Sequence, residues 1–361
     1  MVQINPSEIF EGYGIKSSAH PFGDGHINTT YVDDQERYIL QKINTSIFPD
    51  AEKLMGNIQA VTDFVREKVK LAGGDPDRET LTVVPTKCGK PYFTADDGTV
   101  WRMYTFIKDS YSVTLSKDTR ELYEAGKAFG RFQCMLSDFP AEKLYESIKN
   151  FHNTPWRLEN LKKAIADDLA GRVKDVRKEI DFALSREADA HKVIDGIANG
   201  EIPLRVTHND TKLNNVLFDK ATDKGLCVID LDTVMAGSML YDFGDTLRSG
   251  AATAAEDEQN LELVKFDLEA FKAFAEGFLS ETLDVLTKRE IELLPFSAKL
   301  MTYECGCRFL TDHLNGDTYF KIHREGHNLD RARAQFALVQ DIERKQSDMK
   351  KIVDEIIAKG V

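Results

Sequence analysis

Several classes of protein are excluded by what this sequence lacks. Its 361 residues contain only five cysteines, an odd and scattered set, which argues against a disulfide framework and favours reduced thiols in a cytoplasmic protein. No apolar run approaches the roughly 18 residues that a membrane-spanning helix needs. The first residues, MVQINPSEIFEGYG, also lack the basic start and the apolar core of a secretory signal. We therefore expect a cytoplasmic protein without a membrane partner.

A surplus of positive charge is also missing. Lys and Arg together number 47 against 60 Asp and Glu, which gives a formal net charge of −13. Sequence-independent binding to nucleic acid needs Lys and Arg to displace counterions from phosphates, so no nucleic-acid partner is expected. The remaining composition, 42% hydrophobic and 30% charged residues, is that of an ordinary globular protein. We expect an enzyme or ligand-binding protein that is a monomer or a weak dimer.

The first hundred or so residues are rich in signals for strands and turns. A helix is predicted over Pro49–Leu71, because Leu54, Ile58, Val61 and Val65 recur at spacings of three and four. The segments predicted as strands are Tyr31–Val32, Arg37–Ile43, Leu81–Pro85, Lys90–Thr94 and Thr99–Ile107.

After Asp109 the sequence changes to long amphipathic patterns. Helices are predicted at Arg120–Leu136, Trp156–Ala170, Val173–Ala198, Leu263–Leu279, Lys288–Leu314 and Leu329–Lys359. One helix-poor segment, Pro203–Leu247, interrupts them. The sequence therefore predicts an α+β protein in two parts with a cleft between them. Residues 1–107 form a small antiparallel sheet with a helix, and residues 108–361 form a larger, mainly helical part.

The most informative motif lies in that helix-poor segment, at RVTHNDTKLNNVLFDKATDKGLCVIDLD. It contains His208-x-Asp210, then Asn215, then an apolar run that leads through a turn to Asp230. Phosphoryl transfer from ATP needs a carboxylate at the acceptor hydroxyl and oxygen ligands for the Mg²⁺ that binds the nucleotide phosphates. We predict Asp210 as that carboxylate, and Asn215 and Asp230 as ligands of Mg²⁺, which prefers oxygen donors.

Lys212 lies two residues after the predicted catalytic Asp210. From there its ammonium group could reach the transferring phosphoryl group and offset the charge that develops on it. We include Lys212 among the predicted catalytic residues, with a solvated surface lysine as the alternative.

A second motif, FGDGHINTTY, precedes the first predicted strand. Gly23-x-Gly25 allows a tight turn whose backbone N–H groups can approach phosphates closely, although the same pattern is also typical of a plain hairpin turn. The sequence contains no G-x-x-x-x-G-K-[ST] motif, which excludes a P-loop. The nucleotide-binding residues predicted in this segment are Gly23, Asp24, Gly25, His26 and Asn28.

Together these motifs resemble those of the aminoglycoside phosphotransferase / choline kinase superfamily, whose fold is similar to that of protein kinases. The superfamily pattern reappears at His208–Asn215, Ile229–Asp230 and Tyr241–Asp242. Within the superfamily, longer stretches are similar to bacterial N-acetylhexosamine 1-kinases. These stretches are Gly23–Tyr31, Arg37–Asp50, Arg205–Asn215, Ile229–Arg248, Leu293–Leu310 and Glu325–Leu329.

The resemblance implies a bilobal, protein-kinase-like fold, ATP and Mg²⁺ as cofactors, and a small-molecule sugar as substrate. The γ-phosphate would be transferred to the anomeric C1 hydroxyl of N-acetylglucosamine or N-acetylgalactosamine. It also implies that Asp210 is the catalytic base, that Asp242 braces the catalytic loop, and that a crossover segment supplies backbone contacts to adenine. The residues of that crossover are Tyr104, Phe106 and Ile107.

One position departs from the kinase-like pattern. A strand lysine normally neutralises the nucleotide phosphates and pairs with a helix glutamate. In the strand Tyr38–Lys42 the simplest register puts Gln41 at that place, and strand alternation turns Lys42 to the opposite face. A bulge would restore Lys42, with Glu52 as its partner, so both alternatives stay open, with Gln41 included among the nucleotide-binding residues.

Candidates for the acceptor site lie further along the chain. Arg308 is in an apolar helical stretch, where it could hold sugar hydroxyls or pair with Glu304 one turn earlier. Tyr319 could stack on the sugar or belong to the core. We predict both as substrate contacts, together with Asp210 and Asp230.

Two further carboxylates, Asp232 and Asp245, are expected either to contact the sugar or to cap and pair with Arg248. His323 and His327 invite a comparison with zinc motifs, but the intervening Glu is not placed as in H-E-x-x-H or H-x-x-E-H. We therefore expect no metal site there.

Two alternative functions remain. The chain could be a related kinase acting on an aminoglycoside, choline or homoserine. The missing strand lysine also allows a catalytically inactive nucleotide-binding scaffold, which the complete set of Asp210, Asn215 and Asp230 opposes.

Overall fold

The structure is a computed structural model that describes residues 5–23, 27–114 and 118–360. An antiparallel sheet lies in the N-terminal region, and a mainly helical part follows it. The predicted α+β fold class is therefore confirmed. The division of the chain after residue 107 stays a prediction.

The N-terminal region is organised around a sheet whose described strands have the order β1-β2-β3-β5-β4, all antiparallel. These strands are β1 (Ala19–Pro21), β2 (Thr29–Asp33), β3 (Tyr38–Lys42), β4 (Phe93–Thr94) and β5 (Val100–Thr105). The helices of the region are α1 (Pro6–Gly12), α2 (Ala51–Leu71) and α3 (Pro76–Glu79).

Helix α2 agrees with the prediction except that it begins two residues later. The side chain of Asp50 accepts a hydrogen bond of 3.0 Å from the amide of Lys53, which satisfies one of the amides left free at a helix start. All four apolar residues that predicted the helix are buried. They belong to a hydrophobic core that continues into the helical part of the molecule.

The predicted strand Leu81–Pro85 is wrong. The segment runs beside β5, but in the described structure only Val83 forms a bridge, to Tyr104. Pro85 lacks the N–H that would continue the ladder. The segment is therefore irregular backbone at the edge of β5.

The helical part contains short strand pairs as well as helices. Its described strands are β6 (Ser110–Ser112), β7 (Arg205–Thr207), β8 (Val216–Asp219), β9 (Gly225–Val228) and β10 (Met235–Gly237). Its described helices are α4 (Thr119–Met135), α5 (Thr154–Asp167), α6 (Arg177–Leu184), α7 (Glu187–Ala198), α8 (Met239–Gly250), α9 (Leu268–Thr282), α10 (Lys288–Leu314) and α11 (His327–Lys359).

Two helix predictions need correction here. The single helix predicted over Val173–Ala198 is divided into a 3-10 turn, α6 and α7, because the side chains of Ser185 and Arg186 hydrogen-bond the carbonyl of Phe182 at the end of α6. The segment predicted to be helix-poor ends earlier than expected, since α8 begins at Met239 behind a Ser238 cap.

Helices α4 and α9 cross with their backbones in contact. A Cβ atom added at Gly277 would lie 1.9 Å from the carbonyl oxygen of Tyr123, and one at Gly126 would lie 2.3 Å from that of Phe274. Both distances are far below van der Waals contact, so only glycine fits at either position. This crossing fixes α4, which contributes a residue to the candidate site.

No helix in the described ranges combines the length and the apolar character needed to cross a lipid bilayer.

Candidate active site

The predicted catalytic motif forms a loop between β7 and β8. Strand β7 pairs antiparallel with β10, and the chain then turns at Asn209, whose φ of +66° is left-handed. The Asn209 side chain stabilises this conformation by donating to the carbonyls of Thr207 at 3.2 Å and Thr233 at 2.9 Å. Asn is among the residues that tolerate this conformation best.

Asp242 on α8 holds the loop through its carboxylate. One oxygen accepts from the amide of His208 at 2.8 Å, and the other accepts from the amide of Asn209 at 2.7 Å. Gln133 of α4 donates a further hydrogen bond to the same carboxylate. Burial raises the pKa of Asp242 in spite of these bonds. The bracing role expected for Asp242 is confirmed by these contacts.

Asp210 is accessible at the end of this loop, with 21% of its side chain exposed. Its Oδ1 lies 2.8 Å from Nζ of Lys212. Burial alone would lower the pKa of Lys212, but the attraction of Asp210, together with the charge of Asp245, raises it. Lys212 is therefore a charged neighbour of the predicted base, and with 47% of its side chain exposed it also lies at the surface, so its catalytic role stays a prediction.

Asn215 and Asp230 meet at the ends of β8 and β9. Asn215 donates from Nδ2 to the carbonyl of Asp210 at 2.8 Å, and its own carbonyl accepts from the amide of Ile229 at 2.9 Å. The His208 ring bonds the carbonyl of Ile229 through Nε2, also at 2.9 Å. Asp230 follows with a left-handed φ of +62°. The loop and the Asp230 segment are thus one hydrogen-bonded unit.

The charges around Asp230 fit a bound cation. Burial, and then the like charges of Asp232 and Asp210, raise the pKa of Asp230. A divalent ion would offset this accumulation of carboxylates. Among the described residues no group of three or more His, Cys, Asp or Glu is placed to hold a metal. An ion here would therefore take few protein ligands, with Asn215 and Asp230 as the candidates, as Mg²⁺ commonly does when it also binds phosphates and water.

The glycine-containing segment is described in part. Asp24, Gly25 and His26 lie outside the described residues, whereas Gly23 has a left-handed φ of +72°. Asn28 donates from Nδ2 to Asp232 at 2.6 Å and accepts from the amide of Asn44 at 3.0 Å. The described end of the segment is thus attached to the helical part near Asp230.

The strand register shows which of Gln41 and Lys42 takes the place of the kinase-type strand lysine. Gln41 pairs with Arg102 in the sheet register, and its Oε1 accepts from Arg102 Nε at 2.9 Å. Lys42 pairs with Trp101 on the opposite face, and no ion pair joins it to Glu52 in the part of the chain that the structure describes. The alternative with a bulge and a Lys42–Glu52 pair is therefore wrong.

Sequence reasoning missed Arg102. Its side chain is only 1% exposed and forms an ion pair with Asp232. The pairing of Asp232 with Arg248 considered from the sequence is therefore wrong. A signal was present, since an arginine within the strand sequence Val-Trp-Arg-Met-Tyr is a charge among buried residues and needs a partner.

In the crossover segment, few backbone amides are free to hydrogen-bond adenine. The amide of Phe106 donates to the carbonyl of Arg37 at 2.7 Å and cannot also contact a ligand, whereas no described residue takes the amide of Ile107. Tyr104 lies within β5, where it pairs with Ile39. The ring of Phe106 lies 6.0 Å from that of Phe22, edge to face. Backbone contact through the Phe106 amide is thus excluded, and the Ile107 amide remains.

Arg308, on α10, lies between two aromatic rings. Its guanidinium carbon is 5.5 Å from the ring centre of Phe151 and 5.5 Å from that of Phe320. The ion pair with Glu304 considered from the sequence is absent from the described structure, because Glu304 binds the side chains of His152 and Thr154 instead. Arg308 therefore keeps its donors for another partner.

His152 connects Arg308's helix to the catalytic loop. Its Nδ1 lies 2.8 Å from Glu304 Oε1, and its Nε2 lies 2.9 Å from the carbonyl oxygen of Asn209, which precedes Asp210. Burial alone would lower the pKa of His152, but Glu304 raises it. No sequence pattern indicated this residue, because its partners are far away along the chain.

Tyr319 is 66% exposed, so the alternative that it belongs to the core is wrong. Its loop is held by Asp312, which accepts from the amides of Thr318, Tyr319 and Phe320. Tyr319 and Arg308 line an open hollow of about 630 Å³. They line it together with Arg157, Asn160, Lys163, Ala164, Asp167, Leu169, Thr311, Asp312, Asn315, Thr318 and Phe320.

Comparison with known proteins agrees with this geometry. The model of the phosphotransferase enzyme family matches residues 18–276, which is more than half of the sequence and includes the whole catalytic loop. The chain belongs to the phosphotransferase enzyme family. The superfamily predicted from the motifs is thus confirmed, and the narrower likeness to N-acetylhexosamine 1-kinases stays a prediction.

Solved structures resemble this phosphotransferase over nearly its whole length. An aminoglycoside phosphotransferase from Alicyclobacillus acidocaldarius has a TM-score of 0.60 at 11% identity, with 98% of each chain covered. An ethanolamine kinase from Plasmodium vivax has a TM-score of 0.55 at 16% identity, covering 92% of this chain and 84% of that one. A spectinomycin phosphotransferase in complex with ADP and spectinomycin has a TM-score of 0.54 at 13% identity, covering 94% of this chain and 97% of that one. At these identities the similarity establishes the fold.

The family match does not reach the residues predicted to contact the acceptor. It ends at residue 276, before Arg308 and Tyr319. Of the two carboxylates left open from the sequence, Asp245 pairs with Arg248 at 3.1 Å, as one alternative held. His327 of the rejected zinc motif lies 2.9 Å from Asp257. The residues that select the acceptor must therefore be argued from this structure.

Proposed function

We propose that this phosphotransferase is an ATP- and Mg²⁺-dependent kinase that phosphorylates the anomeric C1 hydroxyl of N-acetylhexosamines. The observation that carries the proposal is the position of Arg308. It lies between two aromatic rings without a carboxylate partner in the described chain, and the His152–Glu304 pair links its helix to the loop of Asp210.

The reaction proposed is an in-line transfer of the γ-phosphoryl group. The C1 hydroxyl oxygen forms a bond to the γ-phosphorus while the bond from that phosphorus to the β,γ-bridging oxygen breaks and ADP leaves. Asp210 accepts the proton of the hydroxyl, and Lys212, 2.8 Å from it, offsets charge on the transferring group. Most of the catalysis comes from positioning and electrostatics, because the transition state is loose.

Nucleotide and metal use is supported by the carboxylates around Asp230. Mg²⁺ would be held by Asn215 and Asp230 and would bind and orient the nucleotide phosphates. The solved relatives with this fold include a complex with ADP and another with AMP-PNP and Ca²⁺. The like charges of Asp232 and Asp210 on Asp230 favour the same kind of ion here.

The acceptor is argued from the charges of the hollow that Arg308 and Tyr319 line. Burial, and then the charge of Arg308, lower the pKa of Arg157 to about 10. Two arginines that repel each other oppose a polycationic acceptor such as an aminoglycoside, and also choline. They suit a neutral acceptor with many oxygens, to which guanidinium groups can donate several hydrogen bonds. Tyr319 adds an exposed aromatic face for a sugar ring.

A second candidate acceptor is homoserine. Its carboxylate would bind a guanidinium group in a two-pronged arrangement, which the free donors of Arg308 also support. The two acceptors differ in the group that Arg308 would bind, a hydroxyl or a carbonyl oxygen in one and an ionised carboxylate in the other.

The test is an assay of ADP release with N-acetylglucosamine, N-acetylgalactosamine, homoserine, choline and an aminoglycoside, with the product identified by ³¹P and ¹H NMR. The expected product is a sugar phosphorylated at C1. Phosphorylation of homoserine alone would replace the proposal by the second candidate. Phosphorylation at another sugar hydroxyl would contradict the proposed orientation of the acceptor.

The matched control for this assay is Asp210→Asn. It preserves the shape of the side chain but removes the base, so kcat should fall by about 10²–10⁴-fold while MgATP and sugar still bind. An Asp210→Asn protein with near wild-type kcat would overturn the assignment. If the wild-type protein binds nucleotide but phosphorylates none of the acceptors, the inactive scaffold becomes the better description.

A further inference from the structure

Arg102 is placed on the face of the N-terminal sheet that is turned towards the helical part. It pairs with Gln41 of β3 in the strand register, so the two side chains leave the sheet on the same face. That face is directed towards the helical part, because the partner of Arg102, Asp232, belongs to the segment that follows Asp230. Arg102 therefore stands beside the strand position at which kinase-like folds carry their phosphate-binding lysine.

The guanidinium is fixed on three sides and has donors left over. Nε donates to Gln41 at 2.9 Å, Nη1 pairs with Asp232, and the guanidinium lies 5.3 Å from the ring centre of Tyr104. An arginine has five N–H donors. Nη2 has no hydrogen-bond partner among the described residues, and it is not one of their fully buried unpaired atoms. Nη2 is therefore the guanidinium nitrogen that is left to contact solvent or a ligand.

Asp232 connects Arg102 to two other parts of the site. One carboxylate oxygen binds Arg102, and the other accepts from Asn28 Nδ2 at 2.6 Å. Asp232 lies two residues after Asp230, and the charge of Asp230 also acts on Arg102. The guanidinium is thus held between the predicted metal ligand and the end of the glycine-containing segment.

The other cations of this sheet region do not fit the same role. Gln41 is neutral, and Lys42 lies on the opposite face. Arg37, at the start of β3, is paired with Asp33 within the sheet. Among the described residues of the sheet, Arg102 is the cation that pairs with a carboxylate of the helical part beside Asp230.

We propose that Arg102 binds the phosphates of the nucleotide and takes the place of the missing strand lysine, with Asp232 as its ion-pair partner in place of a helix glutamate. This inference rests on the proposed use of ATP and specifies how its phosphates are held. Its consequence is that the pair joins the N-terminal sheet to the helical part, whereas the usual Lys–Glu pair lies within the small lobe. Phosphate binding and the approach of the two parts then depend on the same side chain.

The test compares nucleotides that differ only in their phosphates. Wild-type and Arg102→Met proteins are titrated calorimetrically with Mg-ADP and with adenosine. Arg102→Met should weaken Mg-ADP binding by about 10–100-fold, because a charge-assisted contact is lost, while adenosine affinity stays within about twofold. An equal loss for both ligands would mean that Arg102 only supports the fold, and unchanged binding of both would also overturn the proposal.

A charge rescue separates the two roles further. The double variant Gln41→Lys, Arg102→Met places a cation on the neighbouring strand, on the same face, and should regain at least about fivefold of the lost Mg-ADP affinity. Failure to regain it, in a folded protein, would contradict the proposal. If Arg102→Met does not fold, Arg102→Lys keeps the charge and should bind Mg-ADP several-fold more weakly than wild type, with adenosine unaffected; equal binding of Mg-ADP would count against the assignment.

Arg78 offers a matched control. It also connects the two parts of the molecule, with Nη1 2.9 Å from Asp219 and Nη2 3.0 Å from the carbonyl of Lys108, but it does so at the crossover and away from Asp230. Arg78→Met should leave the ratio of Mg-ADP to adenosine affinity unchanged. A change like that of Arg102→Met would mean that any lost connection has the same effect. Absence of Mg-ADP binding by the wild-type protein would instead refute the proposed function itself.

Discussion

The two sides of the catalytic loop carry opposite surpluses of charge. At the proposed metal and nucleotide site, Asp230 lies in the field of two more carboxylates, and its pKa is raised. At the proposed acceptor site, Arg157 lies near Arg308, and its pKa is lowered to about 10 by burial and by that neighbour. Like charges have been brought together in both places, at a cost in stability, within one hydrogen-bonded site.

The difference indicates what each side awaits. Carboxylates in excess suit a cation, and guanidinium groups in excess suit oxygen acceptors or an anion. If both sites bind ligands, binding recovers the stability that like-charge repulsion costs the empty protein, because the ligands relieve this repulsion in addition to making contacts. Removing one charge should therefore impair the use of MgATP at the Asp230 site and the binding of the acceptor at the Arg308 site.

The largest effect is expected for Asp230→Asn. Loss of a proposed Mg²⁺ ligand should lower kcat/KM for MgATP by about 10²–10³-fold, and added Mg²⁺ should recover part of the loss. Without metal, the variant should have a free energy of unfolding higher than that of wild type by on the order of 1–2 kcal/mol, because like-charge repulsion is relieved, and it should therefore unfold at a higher temperature. Steady-state kinetics at several Mg²⁺ concentrations and calorimetry in EDTA measure the two quantities.

Asp109→Asn is the control for that substitution. Asp109 also has a left-handed φ, of +53°, and is exposed at the crossover. The Asp109→Asn substitution should change neither the Mg²⁺ dependence of the kinetics nor the unfolding temperature by a comparable amount. A metal-free Asp230→Asn protein that is less stable than wild type would contradict the surplus of negative charge.

A smaller effect is expected for Arg308→Met on the acceptor side. The apparent KM for the sugar should rise by about 10–100-fold, because hydrogen bonds to it are lost, while KM for MgATP stays within about twofold. Arg331→Met is the matched control, since Arg331 lies 5.4 Å from the ring centre of Phe309 but does not line the hollow. Equal changes in the KM for the sugar and the KM for MgATP would contradict the assignment of Arg308 to the acceptor site.

The smallest effect on activity is expected for His152→Gln, about three- to tenfold in kcat, because His152 acts only through the backbone of Asn209. Its pKa is raised in the folded protein. The stability that it contributes, roughly 1–3 kcal/mol, should be fully present below its ordinary pKa of 6.5 and lost as the pH rises through the folded value.

Urea unfolding of wild type and His152→Gln between pH 5.5 and 9 measures that difference. It should shrink as the pH increases. The half-buried His191, 3.7 Å from Asp195, provides the control, and His191→Gln should show no comparable trend. A difference that grows with pH would mean that His152 is neutral in the folded protein.

The sequence predicted well what depends on short-range order. The catalytic loop could be predicted because Asp210, Asn215 and Asp230 are close in sequence and the chemistry requires them in that order. The bounds of α10, Lys288–Leu314, agree with the prediction, and the capping box of Thr287 and Glu290 is the local reason that the helix begins there.

What could not be predicted depends on pairs that are distant in sequence. Arg102 and Asp232 are separated by 130 residues, and His152 and Glu304 by 152. A buried charge indicates that a partner exists but not which residue it is, because the partner is chosen by the packing of the two parts. For the same reason the sequence could not show that Arg308 contacts Phe151 and Phe320 and does not pair with Glu304.

The glycine crossing of α4 and α9 bears on how this protein can vary. Helix α4 carries Gln133, a donor to the carboxylate that holds the catalytic loop, and its distance from α9 is fixed by backbone contact at Gly126 and Gly277. A side chain at either glycine would push the two helices apart and move Gln133 relative to the carboxylate that it binds. Substitutions in the open hollow between α5 and α10 do not touch this crossing, so the proposed acceptor site can change in sequence while the backbone contact that holds α4 stays as it is.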